Sequence, residues 1–118
     1  SNLCHALAAQ GARVTALDAM MPEGGANRAN LEGAGVMLVR GDLRDTELHS
    51  LCQGADVLFN MAVQTSHMGG QRDPVADLGI NAVAQVRLVQ VMREAAPQAV
   101  VVHASTRQFY GRPIKLPV

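Results

Sequence analysis

Two adjacent hydroxyl residues, Ser105 and Thr106, follow the apolar run VVVHA directly in this chain of 118 residues. A hydroxyl after a buried strand can donate a hydrogen bond to a substrate oxygen on which negative charge develops. The same residues are equally typical of a cap or a turn, and taken alone that structural interpretation is the stronger one. The choice between a catalytic and a structural role depends on which other residues the fold brings close to Ser105 and Thr106.

Carboxylates stand at two comparable positions. Asp18 ends the alternating segment RVTALD, and Asp42 ends VMLVRGD. In a dinucleotide-binding fold, an acid at the first of these places binds the hydroxyls of the adenosine ribose and repels a 2′-phosphate. No Arg or Lys occurs at 19–21, which favours NAD over NADP. Asp42 could reach the adenine amino group, although each carboxylate alone is also common in a turn.

The elements that must position these residues alternate along the chain. Short apolar segments predict strands at 14–17, 36–42, 56–61 and 99–104. Helices are predicted at 1–11, at 27–32, at 45–54 with Asp45 as N-cap, and from Asp73 with Pro74 to about Ala96, while QTSHMGGQRD is predicted to be a loop. This order predicts an α/β fold with a doubly wound parallel sheet whose strands are buried on both faces. Ligands of such sheets bind outside the carboxyl ends of the strands.

Composition excludes several classes of function. Ten basic and ten acidic residues balance, whereas a nucleic-acid partner favours a basic excess. No apolar stretch approaches the roughly 20 residues of a membrane span. The histidines lack ligand spacing, so no metal site is predicted. Cys4 and Cys52 are expected to be buried thiols of a cytoplasmic protein.

Five segments together resemble a known family. They are SNLCHALAAQGARVTALD, VRGDLRD, LFNMAVQTSH, INAVAQVRLVQVMREA and ASTRQFYGRPIKLPV. In this order the chain resembles the extended short-chain dehydrogenase/reductases, specifically the NAD-dependent epimerase/dehydratase family that acts on nucleotide sugars. The last segment resembles a branch related to UDP-glucose 4-epimerases and CDP-sugar epimerases.

The resemblance implies a role for each matching residue. Thr106, four residues before Tyr110, matches the catalytic hydroxyl, with Ser105 beside it. The implied cofactor-binding residues are Asp18, Asp42, Leu43, Met61, Ala62, Val63, Gln64 and Asn81, of which Asn81 would fix the architecture of the site from its helix. Thr65, Ser66, His67 and Gln108 are weaker candidates for substrate contacts.

Departures from the family pattern lead to further expectations. The family's first strand with its glycine-rich loop would precede Ser1, and its Tyr-x-x-x-Lys would lie beyond Val118. Tyr110 has Ile114 four residues later, and Lys115 is one residue off that spacing, so neither is predicted to be catalytic. The 118 residues are thus expected to be a partial Rossmann-like NAD-binding domain, truncated at both ends and without a substrate domain. Alone, the chain is expected to be inactive, to bind NAD weakly, and to be unstable or self-associating.

The function implied for the full-length parent is hydride transfer at a sugar carbon through a keto intermediate, with NAD as cofactor and a UDP- or CDP-sugar as substrate. The parent is expected to be a homodimer without nucleic-acid or membrane partners. Two alternatives stay open: a non-catalytic NAD(P)-binding sensor of the same fold, and a truncated product without activity. A Tyr-x-x-x-Lys in the next 50 or so residues of the parent would favour the enzyme.

Overall fold

Helices and short parallel strands alternate throughout the chain. A computed structural model describes residues 1–21, 26–112 and 114–115. The elements are α1 (Asn2–Ala9), β1 (Thr15–Asp18), β2 (Met37–Arg40), α2 (His49–Cys52), β3 (Val57–Asn60), α3 (His67–Arg72), α4 (Pro74–Leu78), α5 (Ala84–Ala95) and β4 (Val100–His103). Two 3₁₀ helices span Arg28–Leu31 and Arg107–Tyr110, and a π-helical turn spans Gly79–Val83. The four predicted strands are confirmed; β1 is shifted by one residue from its predicted bounds, and the other three are slightly shorter than predicted.

The strands form two separate parallel pairs. β1 pairs with β2, and β3 pairs with β4. Within the described ranges no strand hydrogen-bonds from one pair to the other. In the doubly wound order 3-2-1-4-5, one strand lies between two such pairs. The predicted parallel α/β architecture is therefore confirmed, and the sheet in these residues is a partial one.

The register aligns the carboxyl ends of the strands within each pair. Asp18 lies opposite Arg40, and Asn60 lies opposite His103. The Gly41 N–H donates to the Asp18 carbonyl at 3.0 Å, and the Ala104 N–H donates to the Asn60 carbonyl at 3.0 Å. Segments that follow paired strands consequently leave the sheet side by side.

The core is small and lies between α2 and α5. Its buried members are Leu48, Cys52, Leu88, Met92 and Ala96. Burial of every strand on both faces is wrong for β4, because Val100, Val101 and Val102 are 60%, 41% and 39% exposed. A two-stranded sheet offers these side chains few neighbours to cover them. The radius of gyration, 15.6 Å, exceeds the roughly 13–14 Å of a compact domain of this length.

The long helical run begins where the sequence predicts. Asp73 caps it, with Oδ1 accepting the Ala76 N–H at 2.9 Å, and Pro74 occupies the first turn. α4, the π-helical turn and α5 follow one another without a break over residues 74–95. The buried residues of α5 are Ala84, Leu88 and Met92. The apolar residues exposed by half or more are Val75, Leu78, Val83, Val86 and Val89.

Two local predictions are wrong. The segment predicted to be a loop contains α3, whose N-cap Ser66 accepts the Gly69 N–H on Oγ at 3.0 Å. α2 is shorter than predicted, and Glu47 rather than Asp45 caps it by accepting the His49 N–H at 2.7 Å. Hydrogen bonds from Ser50 lower the pKa of the Glu47 carboxyl. In both cases a side chain inside the segment captures backbone donors that the sequence pattern assigns elsewhere.

Candidate cofactor and substrate site

Asp18 is exposed at the carboxyl end of β1 and organises the turn that follows. Its Oδ1 accepts the Met20 N–H at 2.7 Å. Met20 has φ 53°, a left-handed conformation that is uncommon for a residue with a Cβ. The side-chain hydrogen bond supports this turn, as Asp side chains commonly do two residues ahead. The chain therefore turns sharply away from β1 and leaves the carboxylate at the strand end.

A cavity of about 190 Å³ adjoins Asp18. The 3₁₀ helix contributes Arg28 and Asn30 to its lining, and Asn27 and Leu38 add to the wall. A second cavity of about 240 Å³ is lined by Met20, Arg28, Leu38 and Arg40. Sequence reasoning missed Asn27, Arg28 and Arg40, because it searched for basic residues only in the three positions after Asp18. No local signal links residues 28 and 40 to residue 18. The pairing of β1 with β2 places Arg40 opposite Asp18, and Arg28 shares the lining of the first cavity with Asp18.

Asp42 forms a two-pronged ion pair with Arg44 at the end of β2. Arg44 Nε donates to Oδ1 at 3.0 Å and Nη2 donates to Oδ2 at 2.8 Å, and the Arg44 N–H also donates to Oδ1 at 2.9 Å. These hydrogen bonds hold the pKa of the Asp42 carboxyl below its usual range. The carboxylate is therefore ionised and oriented by its own loop.

Arg87 of α5 holds the same loop from the other side. Its Nη1 donates to the Leu43 carbonyl and its Nη2 to the Thr46 carbonyl, both at 2.6 Å. Gly41 allows the loop to close, since a Cβ there would lie 3.0 Å from Leu17 Cδ1 and closer still to Thr46 Oγ1. The segment that carries Asp42 and Leu43 thus has a fixed main-chain path.

Asn81 fixes the segment that follows β3. The Gln64 N–H donates to Asn81 Oδ1 at 2.8 Å, and Asn81 Nδ2 donates to the Gln64 carbonyl at 3.2 Å and to Asp77 Oδ1 at 3.1 Å. Gln85, one turn further, donates from Nε2 to the Ala62 carbonyl at 3.0 Å. Met61 and Val63 between these anchors are 50% and 44% exposed. The helical run therefore holds the main chain of 61–64 by hydrogen bonds, while the apolar side chains of Met61 and Val63 stay at the surface.

Of the four weaker candidates for substrate contacts, the structure describes the side chains of two, Thr65 and Ser66. Thr65 is exposed beside the 61–64 segment. Ser66 uses its hydroxyl as the N-cap of α3, which limits its capacity for a second partner. The side chains of His67 and Gln108 lie outside the described residues.

Ser105 and Thr106 are exposed immediately after β4. Because Ala104 is hydrogen-bonded to Asn60, the two hydroxyl residues emerge beside Met61. The Thr106 carbonyl accepts the Phe109 N–H at 3.2 Å as the 3₁₀ helix begins. Tyr110 at the end of that helix is 64% exposed and makes an edge-to-face contact with Phe109, ring centroids 6.0 Å apart.

The structure thus brings the candidates to the strand ends in two groups. Asp18, Asp42 and Leu43 belong to the β1–β2 pair, and the segments 61–64 and 105–106 belong to the β3–β4 pair. Residues 81–87 of the helical run contact both. Sequence reasoning missed Gln85 and Arg87, because polar residues on a helix ordinarily face solvent.

Among residues 1–21, 26–112 and 114–115, no three His, Cys, Asp or Glu side chains lie close enough together to hold a metal ion. In the part of the chain that the structure describes, no helix combines the length and the apolar character that crossing a membrane requires. Cys52 is buried and burial raises the pKa of its thiol, while Cys4 is half-buried.

Parallel strands joined by helices, with polar residues at their carboxyl ends, are typical of α/β proteins with a Rossmann-like fold. The family model described as NAD dependent epimerase/dehydratase family matches residues 1–117. The chain belongs to this family.

Individual relatives agree with that assignment. UDP-glucose 4-epimerase of Mycolicibacterium smegmatis is 31% identical over 120 residues, which cover 99% of this chain and 38% of the relative. The structure of the epimerase Mth375 of Methanothermobacter thermautotrophicus superposes with a TM-score of 0.82 at 25% identity, covering 100% of this chain and 35% of that one. UDP-glucose-4-epimerase of Stenotrophomonas maltophila, solved with NAD and formylated UDP-arabinopyranose, superposes at 0.81 with 24% identity, covering 98% and 36%. The chain spans less than two fifths of the length of these relatives.

Proposed function

We propose that these residues supply the NAD-facing and sugar-facing segments of an NAD-dependent nucleotide-sugar epimerase or dehydratase. The observation that carries the proposal is that Ser105 and Thr106 lie beside segment 61–64 at the carboxyl ends of two paired strands. Asn81 and Gln85 of the helical run hydrogen-bond to the main chain of that segment. Family membership over residues 1–117 supports the same assignment. A protein that only senses a dinucleotide has no need of hydroxyls at that place.

The adenosine end of NAD fits the β1–β2 pair. The exposed Asp18 adjoins the cavity of about 190 Å³, and its carboxylate would accept hydrogen bonds from the ribose hydroxyls. Asp42 and Leu43, on the loop held by Arg87, would contact the adenine. Met61, Ala62, Val63 and Gln64 would line the other half of the cofactor, with Asn81 holding their main chain.

The reacting sugar would lie against the segment after β4. When bound, NAD supplies a hydride acceptor to which a sugar carbon can be oxidised and from which it can be reduced again. The Thr106 hydroxyl, with Ser105 beside it, would donate to the oxygen of that carbon as its charge changes. Thr65, Ser66, His67 and Gln108 are the candidates for contacts with the rest of the nucleotide sugar. We assign proton transfer to a Tyr-x-x-x-Lys segment outside these 118 residues, and not to Tyr110.

The partial sheet suggests how the remainder of the enzyme is arranged. In the described part of the chain the two strand pairs are not hydrogen-bonded to each other. The doubly wound order places the strand with the phosphate-binding glycine loop between them. We assign that strand to a part of the enzyme outside these residues. The 118-residue chain alone should therefore bind NAD weakly, and micromolar affinity by titration calorimetry would contradict this arrangement.

The exposed apolar side of α5 supports a homodimer. Val86 and Val89 are 60% and 50% exposed, and Val86 lies on the side of the helix away from buried Leu88. A second copy of the chain would cover these side chains. Light scattering of the full-length protein should give a dimer that Val86→Arg weakens. Gln53→Arg, at an exposed position that ends α2 on the buried side of α5, should leave the dimer intact. A monomeric wild type would contradict the proposal.

The enzymatic proposal is tested with the full-length protein and UDP-sugars. Epimerisation or dehydration followed by NMR should proceed with NAD, and Thr106→Val should lower kcat by roughly 10²–10³-fold, as loss of one donor to a developing charge does elsewhere. Thr15→Val, at the opposite end of β1, is the matched control and should keep the wild-type rate. NAD binding without turnover of any nucleotide sugar would instead favour the sensor.

A further inference from the structure

A polar cluster around one buried amide joins β3, β4 and α5 at the carboxyl ends of the strands. It consists of Asn60, Gln85 and His103. Asn60 is only 5% exposed, and its Nδ2 lies 2.5 Å from Gln85 Oε1 and 3.2 Å from His103 Nδ1. None of these residues belongs to the candidate site as the sequence predicts it. A buried amide with two partners, as Asn60 has, constrains its neighbours strongly.

The orientation of the Gln85 amide follows from its own donors. Nε2 donates to the Ala62 carbonyl at 3.0 Å and to the Ile80 carbonyl at 2.9 Å. Both of its hydrogens are used, and a carbonyl can only accept. The atom that faces Asn60 must therefore be the acceptor Oε1.

The Asn60 amide is fixed in turn. Only its Nδ2 can donate to Gln85 Oε1, since the reversed amide would set two acceptors against each other. In this orientation no donor from the described residues reaches Asn60 Oδ1. The amide keeps this orientation despite one unsatisfied acceptor, because the reversal would leave two acceptors in contact without a hydrogen.

The remaining hydrogen of Asn60 Nδ2 determines the state of His103. An N–H group cannot accept, so the nitrogen 3.2 Å away must carry a lone pair. We propose that Gln85, acting through Asn60, holds His103 as the neutral tautomer with its proton on Nε2, and so ties the 61–64 segment to the end of β4. Gln85 is in this sense a positioning residue, and it acts without touching the reacting atoms.

The consequence for the site rests on the proposed function. His103 stands two residues before Ser105, and Gln85 holds the carbonyl of Ala62 in the segment assigned to the cofactor. The π-helical turn assists, because the Ile80 carbonyl within it accepts a side-chain donor. π-helical turns occur frequently at functional sites. One amide thus sets the distance between the cofactor-lining segment and the hydroxyl-bearing segment.

The tautomer can be observed directly in the full-length protein. Long-range ¹⁵N–¹H spectra at about pH 8, where free imidazole is neutral, distinguish the two ring nitrogens, and a His103→Gln variant identifies the signals. The expected pattern is a protonated Nε2 and an unprotonated Nδ1. A protonated Nδ1, or an equal mixture of tautomers, in the wild type would overturn the proposal without any further variant.

Two substitutions test the route through Asn60. Gln85→Leu removes the acceptor for Nδ2 and should convert His103 to a tautomer mixture, whereas Gln90→Leu, the same change at an exposed position of α5, should leave the pattern intact. Gln85→Glu keeps an acceptor for Asn60 but loses the donors to Ala62 and Ile80. It should retain the Nε2–H pattern while amide exchange in 61–64 becomes faster. An unchanged tautomer in a folded Gln85→Leu would refute the proposal, and if that variant does not fold, loss of the pattern in Gln85→Glu would do so.

These spectra need neither NAD nor a nucleotide sugar, so their outcome is independent of the proposed enzymatic function. In the full-length enzyme, Gln85→Leu should lower kcat more than it raises the KM for NAD, and Gln90→Leu should change neither. An Nε2–H tautomer in a protein that turns over no nucleotide sugar would refute the enzyme and support the cluster. Turnover of a nucleotide sugar by a protein whose His103 carries its proton on Nδ1 would refute the proposed role of the cluster and leave the enzymatic proposal unaffected.

Discussion

At the ends of β1 and β2 the carboxylates bond to groups two residues away in the sequence, Asp18 to Met20 and Asp42 to Arg44. At the ends of β3 and β4, Asn60 and the main-chain groups of Ala62 and Gln64 bond to side chains 17 to 43 residues away. The first region therefore shapes its own turns, and the second depends on the helical run to hold it. Arg87, which reaches the loop after β2 from 44 residues away, is the exception in the first region.

The difference has a physical basis in the groups involved. A carboxylate at a strand end readily accepts from the backbone N–H two residues ahead. The apolar segment 61–63 has no such side chain, so its carbonyls need partners from elsewhere. The adenosine side should consequently tolerate changes in the rest of the fold better than the sugar side.

Among the predicted variants, substitution of Arg87 should have the largest effect on the free energy of unfolding. Arg87→Met keeps the aliphatic stem but leaves the partly buried carbonyls of Leu43 and Thr46 without their donors. We expect it to lower the free energy of unfolding by about 1–3 kcal/mol, measured by urea denaturation. Arg93→Met, at an exposed position of the same helix, is the control. Equal stability of the two variants would mean that the hydrogen bonds from α5 do not stabilise the loop after β2.

A substitution at Gly41 tests whether local packing limits the same loop. A Cβ there would press on Leu17 and Thr46, so Gly41→Ala should destabilise the fold by about 1–3 kcal/mol, as overpacking commonly does. At Gly79, which is helical with φ −58°, a Cβ would meet Arg44 only at 3.7 Å. Gly79→Ala should therefore be neutral or stabilising when both variants are compared with wild type by thermal denaturation. A loss of stability equal to that of Gly41→Ala would contradict the steric account.

Asn81 permits a direct contrast between the regions. Asn81→Ala removes both hydrogen bonds to the Gln64 main chain and should cost roughly 0.5–1.5 kcal/mol. Hydrogen exchange should become faster at Gln64, 17 residues away. Asp18→Ala should act only on Met20 and its neighbours. Faster exchange at Gln64 in the Asp18 variant would break the distinction between local and distant support.

The smallest effect is expected for the Asp42–Arg44 ion pair. The pKa of Asp42 is lowered in the folded state by its hydrogen bonds to Arg44, so the pair stabilises the fold above about pH 4 and loses this contribution as the pH falls through the lowered pKa. Asp42→Asn should cost under about 1 kcal/mol near neutrality, because the pair is exposed to water. The difference from wild type should vanish in acid. A difference that persists there, or one shared by Asp45→Asn, would contradict this assignment.

Local chemistry made some elements predictable. Asp73 followed by Pro74 marks the start of the long helix, since both residues act within one turn of it. α3 was missed although Ser66 caps it, because Gly69 and Gly70 in HMGGQR are typical of a loop. The buried side of α5 was also missed, since valines occur on both sides and only packing against α2 selects Leu88 and Met92.

The sequence by itself determined the alternating order of elements, the family, and the positions of Asp18, Asp42, Ser105 and Thr106 at the strand ends. Each of these follows from residue types close together in the chain. Tertiary structure alone decided that Arg28 lines the cavity beside Asp18 and that Arg40 lies opposite Asp18 in the paired strands. It also decided that Arg87 and Gln85 hold two separate loops and that Asn60 contacts His103. These contacts join residues far apart in the sequence, and no local preference encodes them, because they arise only when strand pairing and helix packing bring the segments together.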